Sequence, residues 1–146
     1  MSAVEFRDAS SADWTHVAGL LAGAGLPVAG AADHLSHFVL AFSAGTLVAC
    51  AGMEVYGEYG LLRSVAVAAS ERGKGLGAAV VGRVLDRART EGVREVILLT
   101  ETAPDYFPRF GFEPITRADV PEAVKVSVEF TGACCASAAV LRLRLP

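Results

Sequence analysis

The segment best equipped for chemistry is Arg72-Gly-Lys-Gly-Leu-Gly77, which reads Arg-x-x-Gly-x-Gly. It follows the apolar run 61–69 and opens a stretch with helical periodicity, so it places free backbone amides at the start of a helix. Those amides have no partner within the helix, and the helix dipole adds positive potential there. Because glycine lets an oxygen-rich ligand approach the chain closely, the segment predicts an anion cradle suited to a pyrophosphate.

Length and charge limit the kinds of function that the chain can have. A chain of 146 residues predicts a single domain, residues 1–146, with a substantial core. Its net charge of −3 argues against electrostatic capture of nucleic acid or an anionic membrane, so a small molecule is the expected partner. Mean hydropathy is +0.44, yet charge, glycine or serine interrupts every apolar run before it could span a bilayer. The N-terminal residues lack the order of a secretory signal, which predicts a cytoplasmic protein.

Cysteine and histidine residues give weaker signals. The three cysteines are Cys50, Cys134 and Cys135, an odd number that argues against a disulfide framework. Adjacent Cys134 and Cys135 could bind a soft ligand, but core or turn positions are the better interpretation. Residues 33–37, Asp-His-x-x-His, contain metal-ligand types, but such residues near a strand start are more often plain surface residues, and we predict no metal.

Periodicity and turn residues predict the elements that must position the cradle. Strands are expected at 4–8, 38–42, 47–56, 59–67, 96–99, 124–130 and 138–145. Helices are expected near 14–22, at 75–90 and, as a short helix, at 103–110. Ser10 and Asp13 have the spacing of a capping box before the first helix. An antiparallel meander followed by strand, helix and strand indicates an α+β fold.

The order of these motifs resembles that of the GCN5-related N-acetyltransferases. Strand 61–67, the Arg-x-x-Gly-x-Gly segment and the pair Gly111-Phe112 match that family in sequence and separation. A looser similarity is to the arsenic-resistance N-acetyltransferases and to N-acetylglutamate-synthase-like proteins. It depends on Leu62-Arg63-Ser64, Thr100-x-Thr102-Ala103, Tyr106-Phe107 and Ser127-x-Glu129-Phe130 with Cys134. The resemblance implies a central, mostly antiparallel mixed sheet of about six or seven strands, splayed at its centre and flanked by helices.

The resemblance also implies the coenzyme and the chemistry. Acetyl-CoA is the implied cosubstrate, and its acetyl group passes directly to an amine without a covalent enzyme intermediate. The Ala66 N–H is the implied donor to the thioester oxygen, where a preorganised donor stabilises the oxyanion. The implied coenzyme-binding residues are Val65, Ala66, Val67, Arg72, Gly73, Lys74, Gly75, Leu76, Gly77, Ala78, Thr100 and Phe107.

The residues that serve as catalytic acid and base in many family members have no equivalent at the matching positions of this sequence. Many members have tyrosine at the position of Phe107; the neighbouring Tyr106 is a candidate acid, although a buried hydroxyl more often satisfies a local hydrogen bond. The position of the glutamate base in histone-modifying relatives is Leu62. Unplaced alternatives for a base are Glu54, Glu58 and Glu101.

Arg63 is a charge within an apolar strand and therefore needs a partner. A substrate carboxylate, or a phosphonate-like group, would fit its bidentate fork. An internal Glu or Asp would fit equally well and would make the residue structural. The sequence leaves both alternatives open.

We expect an N-acetyltransferase acting on the amine of a small, amino-acid-like molecule. A non-catalytic acyl-CoA-binding sensor is the alternative, since the usual acid and base are missing. An NAD-binding oxidoreductase is disfavoured: Gly73-x-Gly75-x-x-Ala78 fits the fingerprint, but antiparallel hairpins precede it and the segment 68–71 separates it from the strand. The apolar tail 138–145 is a candidate surface for a homodimer.

Overall fold

The computed structural model describes residues 3–101, 103–131 and 138–146 of the chain. Short 3-10 turns connect several of its helices and strands. The strands are β1 (Val4–Asp8), β2 (Phe38–Ser43), β3 (Thr46–Tyr56), β4 (Tyr59–Val67), β5 (Glu95–Thr100), β6 (Glu113–Ile115) and β7 (Ala139–Arg144). The helices are α1 (Trp14–Gly23), α2 (Leu76–Thr90) and α3 (Val128–Thr131).

The seven strands of the described residues form one mixed sheet in the order β1-β2-β3-β4-β5-β7-β6. The neighbours pair antiparallel except β4 and β5, which are parallel. The α+β class and the mostly antiparallel sheet expected from the sequence are confirmed. Among the described residues, no helix is long and apolar enough to cross a membrane.

The sheet opens between β4 and β5. Their pairing begins with Tyr59 opposite Glu95 and ends with Leu62 opposite Leu98. Both strands continue past that point, β4 to Val67 and β5 to Thr100, without pairing with each other. The splayed centre implied by the resemblance is therefore present, and it exposes one backbone edge of β4.

A β-bulge in β4 lies at the start of this opening. Gly52 of β3 pairs with Arg63, whereas Cys50 pairs with Ala66, so two β4 residues face one β3 residue. Ser64 within the bulge has a positive φ of 59°, a conformation that non-glycine residues adopt only when the surrounding structure enforces it. The bulge redirects the residues that follow it.

Alternation along the strands buries both faces of the sheet. Val39 and Ala41 of β2 belong to the core beneath α2, whereas Phe38 and Leu40 belong to the core beneath α1. The 15-residue helix α2 presents its buried stripe to one face, and α1 covers the other. The two helices thus lie on opposite sides of the opening in the sheet.

A third group of buried residues corrects one prediction. Residues 124–130, expected as a strand, form turns that lead into α3. Val120 and Val124 pack onto Leu61, Ile97 and Val140. Because Val120 and Val124 are four residues apart, one turn of the chain brings both onto the sheet. Burial of these side chains outweighed the strand propensity of the segment.

Two further local predictions need correction around the prolines. Residues 103–110 form turns and a 3-10 segment, Phe107–Phe110, instead of an α-helix, because Pro108 lies in its first turn and Gly111 ends it with a positive φ. Strand β6 was not expected, since Pro114 lies within it. It is an edge strand, where a missing N–H is tolerated.

The last strand has no free edge. β7 pairs with β5 on one side and with β6 on the other. A homodimer built by strand pairing through 138–145 would require displacement of β6. The homodimer itself stays a prediction.

Candidate active site

A cavity of about 540 Å³ lies between the opened edge of β4 and the start of α2. Its lining joins the backbone of Val65, Ala66 and Val67 to the cradle segment and to the turn containing Phe107. Lys74 and Thr100 do not line it, although both were expected to contact the coenzyme. The remaining coenzyme residues expected from the sequence are Val65, Ala66, Val67, Arg72, Gly73, Gly75, Leu76, Gly77, Ala78 and Phe107, and all of them line this cavity.

Backbone amides are the groups that the cradle offers. Gly75 is the N-cap of α2 with a φ of 80°, and the first helical bond runs from the Ala79 N–H to the Gly75 carbonyl at 3.1 Å. The N–H groups of Leu76, Gly77 and Ala78 therefore have no acceptor within the helix. Three such amides at the positive end of a 15-residue helix form an anion site.

Charged side chains of the cradle are paired locally. The Lys74 Nζ lies 2.8 Å from the Glu71 carboxylate, and the Arg72 Nε donates to the Val67 carbonyl at 3.3 Å. Both side chains remain available at the surface, since exposed pairs of this kind contribute little. The specific part of the anion site is the backbone.

Tyr106 lies beside the cradle at the start of α2. A Cβ built on Gly77 would lie 2.7 Å from the Tyr106 hydroxyl oxygen, so this hydroxyl lies against the first turn of α2. The Arg109 guanidinium stacks over the Tyr106 ring at 4.2 Å and donates to the Tyr106 carbonyl at 2.8 Å. Tyr106 lines the cavity that contains the cradle and does not line a second, adjoining cavity.

A second cavity, of about 510 Å³, adjoins the first along the opening between β4 and β5. Its walls are the segment 24–27, the ends of β4 and β5, and Glu129 of α3. The residues that line both cavities are Ala24, Leu26, Val65, Ala103 and Phe107. An acyl group carried by a ligand in the first cavity would therefore meet a molecule in the second near Val65.

The register of β4 changes the expected oxyanion donor. The Ala68 N–H donates to the Val48 carbonyl of β3 at 2.8 Å, and Ala66 lies two residues earlier in the same ladder. Since alternate N–H groups of a strand point to the same side, the Ala66 N–H faces β3. The N–H groups of Val65 and Val67 face the opening instead. This geometry disagrees with the assignment of the donor to Ala66.

Arg63 is buried in an internal network. Its Nη1 lies 2.7 Å from the Glu54 carboxylate, and both side chains are 1% exposed. Its Nη2 donates to the carbonyls of Pro27 and Ala29 at 3.3 and 2.8 Å, and its Nε donates to the Ser64 hydroxyl at 3.2 Å. Of the two roles that the sequence left open, the contacts favour the structural ion pair.

Glu54 is held in its charged form. Burial by itself would raise the pKa of Glu54, but hydrogen bonds from Tyr56, Ser127 and Arg63 outweigh it and lower that pKa. The His34 Nε2 lies 3.6 Å from the same carboxylate. With its oxygens committed to these donors, Glu54 is a poor proton acceptor.

Glu129 is the functional candidate that sequence reasoning missed. Its side chain is 8% exposed and lines the second cavity, yet no hydrogen bond reaches its Oε2 within the described part of the chain. Burial, above all, raises the pKa of Glu129. The Ser-x-Glu-Phe pattern around it was the available signal, but nothing in the sequence placed it beside Arg63.

The other sequence candidates lie elsewhere or make local contacts. Glu58 is exposed in the turn between β3 and β4, and Glu101 is an exposed residue of the second cavity. Cys50 is buried, and burial raises the pKa of its thiol to about 12. Cys134 and Cys135 lie outside the described residues. In the portion of the chain with described structure, no group of three or more metal-ligating side chains could hold a metal ion.

Comparison with known families settles the affiliation. The model of the acetyltransferase (GNAT) family matches residues 6–112, which is more than half of the chain. The chain belongs to the acetyltransferase (GNAT) family. The coenzyme of this family, acetyl-CoA, suits the paired cavities and the backbone cradle described above.

Individual relatives agree with the family assignment. Amino-acid acetyltransferases from two strains of Neisseria meningitidis are each 26% identical over 128 residues, covering 82% of this chain and 29% of theirs. This chain therefore spans less than a third of the length of those relatives.

Solved structures show the same fold. N-acetylglutamate synthase from Neisseria gonorrhoeae, complexed with coenzyme A and N-acetyl-glutamate, superposes with a TM-score of 0.84 at 23% identity, covering 100% of this chain and 36% of that chain. Rv2747 from Mycobacterium tuberculosis, in complex with CoA, has a TM-score of 0.82 at 23% identity, covering 97% and 99% of the two chains.

The cradle generates the first prediction. Gly77→Val places a branched side chain against the Tyr106 hydroxyl and over the free amides of α2, so we expect coenzyme A affinity to fall at least about tenfold, or about 1.4 kcal/mol. Titration calorimetry measures it. Gly82→Val is the matched control, because a Cβ at Gly82 of the same helix meets nothing within 4 Å. Equal affinities for the two variants would contradict the cradle assignment.

Arg63 generates the second prediction. Lysine cannot hold Glu54, Ser64 and the carbonyls of the 27–29 segment at once, so Arg63→Lys should lower the free energy of unfolding by about 1–3 kcal/mol. Chemical denaturation measures it. Arg89→Lys is the control, since Arg89 pairs with Asp86 at the surface and the change should cost almost nothing. An unchanged stability combined with a raised KM for the acceptor would show instead that Arg63 binds substrate directly.

Proposed function

We propose that this protein transfers the acetyl group of acetyl-CoA to the amine of a small, amino-acid-like molecule. The observation that carries the proposal is the pair of adjoining cavities along the splayed edge of β4. One cavity has the anion cradle and the other has buried charged groups. The names of the amino-acid acetyltransferases among the relatives support the choice of acceptor class.

Acetyl-CoA supplies the thioester whose carbonyl carbon the amine attacks. The amides at the start of α2 bind the pyrophosphate, and the free edge of β4 pairs with the pantetheine arm as an added strand would. The Val65 N–H, which faces the opening, donates to the thioester oxygen. A fixed donor at that point stabilises the charge that develops during attack, and losing one in comparable enzymes costs two to three decades in rate.

No side chain among those identified is required to protonate the departing thiolate. A thiolate is stable enough to leave into water, and the Tyr106 hydroxyl lies against Gly77 in the coenzyme cavity. In the proposed reaction Tyr106 therefore contributes to binding. If no side chain needs to protonate the thiolate, phenylalanine can replace the tyrosine that many family members have at position 107.

The direct test is turnover. Purified protein is incubated with acetyl-CoA and a panel of amino acids, phosphinothricin-like compounds, polyamines and aminoglycosides, and free thiol is measured. We expect amine-dependent thiol release that is strongest with the amino-acid-like compounds. Tight coenzyme binding without release from any amine would favour the non-catalytic acyl-CoA sensor.

Tyr106→Phe separates binding from acid catalysis. Because the hydroxyl lies at the cradle, we expect the variant to keep kcat within about threefold and to change mainly the KM for acetyl-CoA. Steady-state kinetics with both substrates varied measures the two constants. A fall of two or more decades in kcat at unchanged coenzyme affinity would identify Tyr106 as the acid.

A further inference from the structure

Glu129 is a buried carboxylate without a full complement of partners. Its residue is 7% exposed, and within the described residues no hydrogen bond reaches its Oε2. The nearest cation is Arg63, whose Nη2 lies 3.9 Å away, too far for a hydrogen bond. A buried, ionised carboxylate oxygen without a hydrogen bond lowers the stability of the folded protein, which indicates that the residue is kept for a function.

Arg63 attracts Glu129 through its charge and so opposes the rise of the Glu129 pKa, but the structure gives no hydrogen bond between the two, and four of the five Arg63 N–H donors are used elsewhere. Its fork bonds Glu54, Ser64 and the backbone of the 27–29 segment. The Glu54 carboxylate adds a like charge from β3, and it is itself bonded by Tyr56 and lies near His34. Among the residues that the structure describes, the carboxylates of Glu54 and Glu129 therefore share the charge of one guanidinium.

The residue is held firmly in this place. The Glu129 N–H donates to the Ser127 hydroxyl at 3.1 Å, which fixes the first turn of α3. A Cβ built on Gly30 would lie 2.5 Å from Val128 Cγ2 and 3.3 Å from the Arg63 Nη1. Glycine at position 30, with a φ of 78°, thus lets the 27–30 segment and α3 close around Arg63.

Glu129 also lines the acceptor cavity together with Ser64 and Val65. The Val65 N–H is the proposed donor to the thioester oxygen, so the carboxylate belongs to the cavity where the amine must lose a proton. We propose that Glu129 binds the ammonium group of the acceptor and accepts its proton before the amine attacks the thioester. This role rests on the proposed acetyltransferase function.

The step balances without any further reactant. One proton moves from the acceptor ammonium to a Glu129 carboxylate oxygen, which leaves the nitrogen lone pair free. The nitrogen then forms a bond to the carbonyl carbon, and the carbon–sulfur bond breaks as the thiolate leaves with its electron pair. The nitrogen loses a second proton, the thiolate is protonated, and Glu129 returns its proton to solvent.

Two other carboxylates are less suited to this role. Glu54 has its oxygens committed to Arg63 and Tyr56, which lowers its pKa. Glu101 lines the same cavity but is exposed, where water competes for the ammonium. The raised pKa of Glu129 brings its proton affinity closer to neutral pH, where a general base works best.

Glu129→Gln tests the proposal, with Glu122→Gln as the control, because Glu122 is an exposed carboxylate that lines neither cavity and pairs with Lys125 at the surface. The wild type is first assayed against the amine panel to select an acceptor. We expect kcat/KM for that acceptor to fall about 10²–10⁴-fold in Glu129→Gln at pH 7 and less than about threefold in Glu122→Gln. Coenzyme A affinity should be unchanged in both variants.

The pH profile separates a base from a structural residue. In the wild type, kcat/KM should rise with pH and level off once Glu129 is ionised. In Glu129→Gln, kcat/KM should continue to rise until the pH reaches the pKa of the acceptor amine. The difference in kcat/KM between this variant and the wild type should therefore shrink as pH increases. Glu129→Asp, which keeps the carboxylate, should show the same rise of kcat/KM with pH as the wild type, at a lower kcat/KM.

Stability gives an independent readout with a defined sign. A carboxylate whose pKa is raised by folding binds its proton more tightly in the native state, so its contribution to stability is lost as pH rises through that pKa. Glu129→Gln should therefore keep or raise the melting temperature at pH 7. An active wild type whose Glu129→Gln variant keeps the wild-type rate, or loses rate with an unshifted pH limb, would overturn the proposal. A wild type inactive with every amine would instead defeat the proposed function itself.

Discussion

The buried charge of Arg63 is the constraint on which the site depends. A guanidinium that is 1% exposed must have its donors satisfied, and here it draws Glu54 of β3, the bulge residue Ser64 and the carbonyls of Pro27 and Ala29 to one point. These contacts hold the segment 27–29, next to one wall of the second cavity, against strand β4. Within the described residues, the Glu129 Oε2 lies 3.9 Å from the Arg63 Nη2 and receives no hydrogen bond.

The bulge at Ser64 converts an ordinary strand into a binding edge. Beyond Leu62 the strand β4 no longer pairs with β5, so its outer N–H and carbonyl groups are free for a ligand. The cost of a positive φ at a serine is sustained because β3 holds both ends of the bulge in register. The start of α2 lies beside the same edge, which brings the free amides of the cradle and the free edge of β4 to one cavity.

The sequence pattern was sufficient to predict those elements whose conformation depends mainly on neighbouring residues. Runs of strand-forming residues separated by turn signals predicted β1 through β5, and the glycine-rich segment predicted the start of α2. The sequence pattern gave wrong predictions where tertiary packing outweighed the local preference for strand or turn. Residues 124–130 have strand-like composition but cover the sheet as turns and a short helix, and Pro114 concealed an edge strand. The alternation of N–H groups beyond the bulge turns the Ala66 N–H toward β3, which the sequence pattern did not predict.

By its sequence alone this protein specified the family fold and the cradle for the coenzyme, because both depend on contiguous residues whose backbone preferences act locally. The partners of Arg63 and the exposure of Tyr106 and Glu129 were decided by the tertiary structure. They join residues as far apart as Pro27 and Arg63, and a burial-dependent charge cannot be assigned before its neighbours are known. The Glu129 Oε2, which receives no hydrogen bond from the described residues, could be identified only from the tertiary structure, because the nearest cation, Arg63, is bonded mainly to other groups.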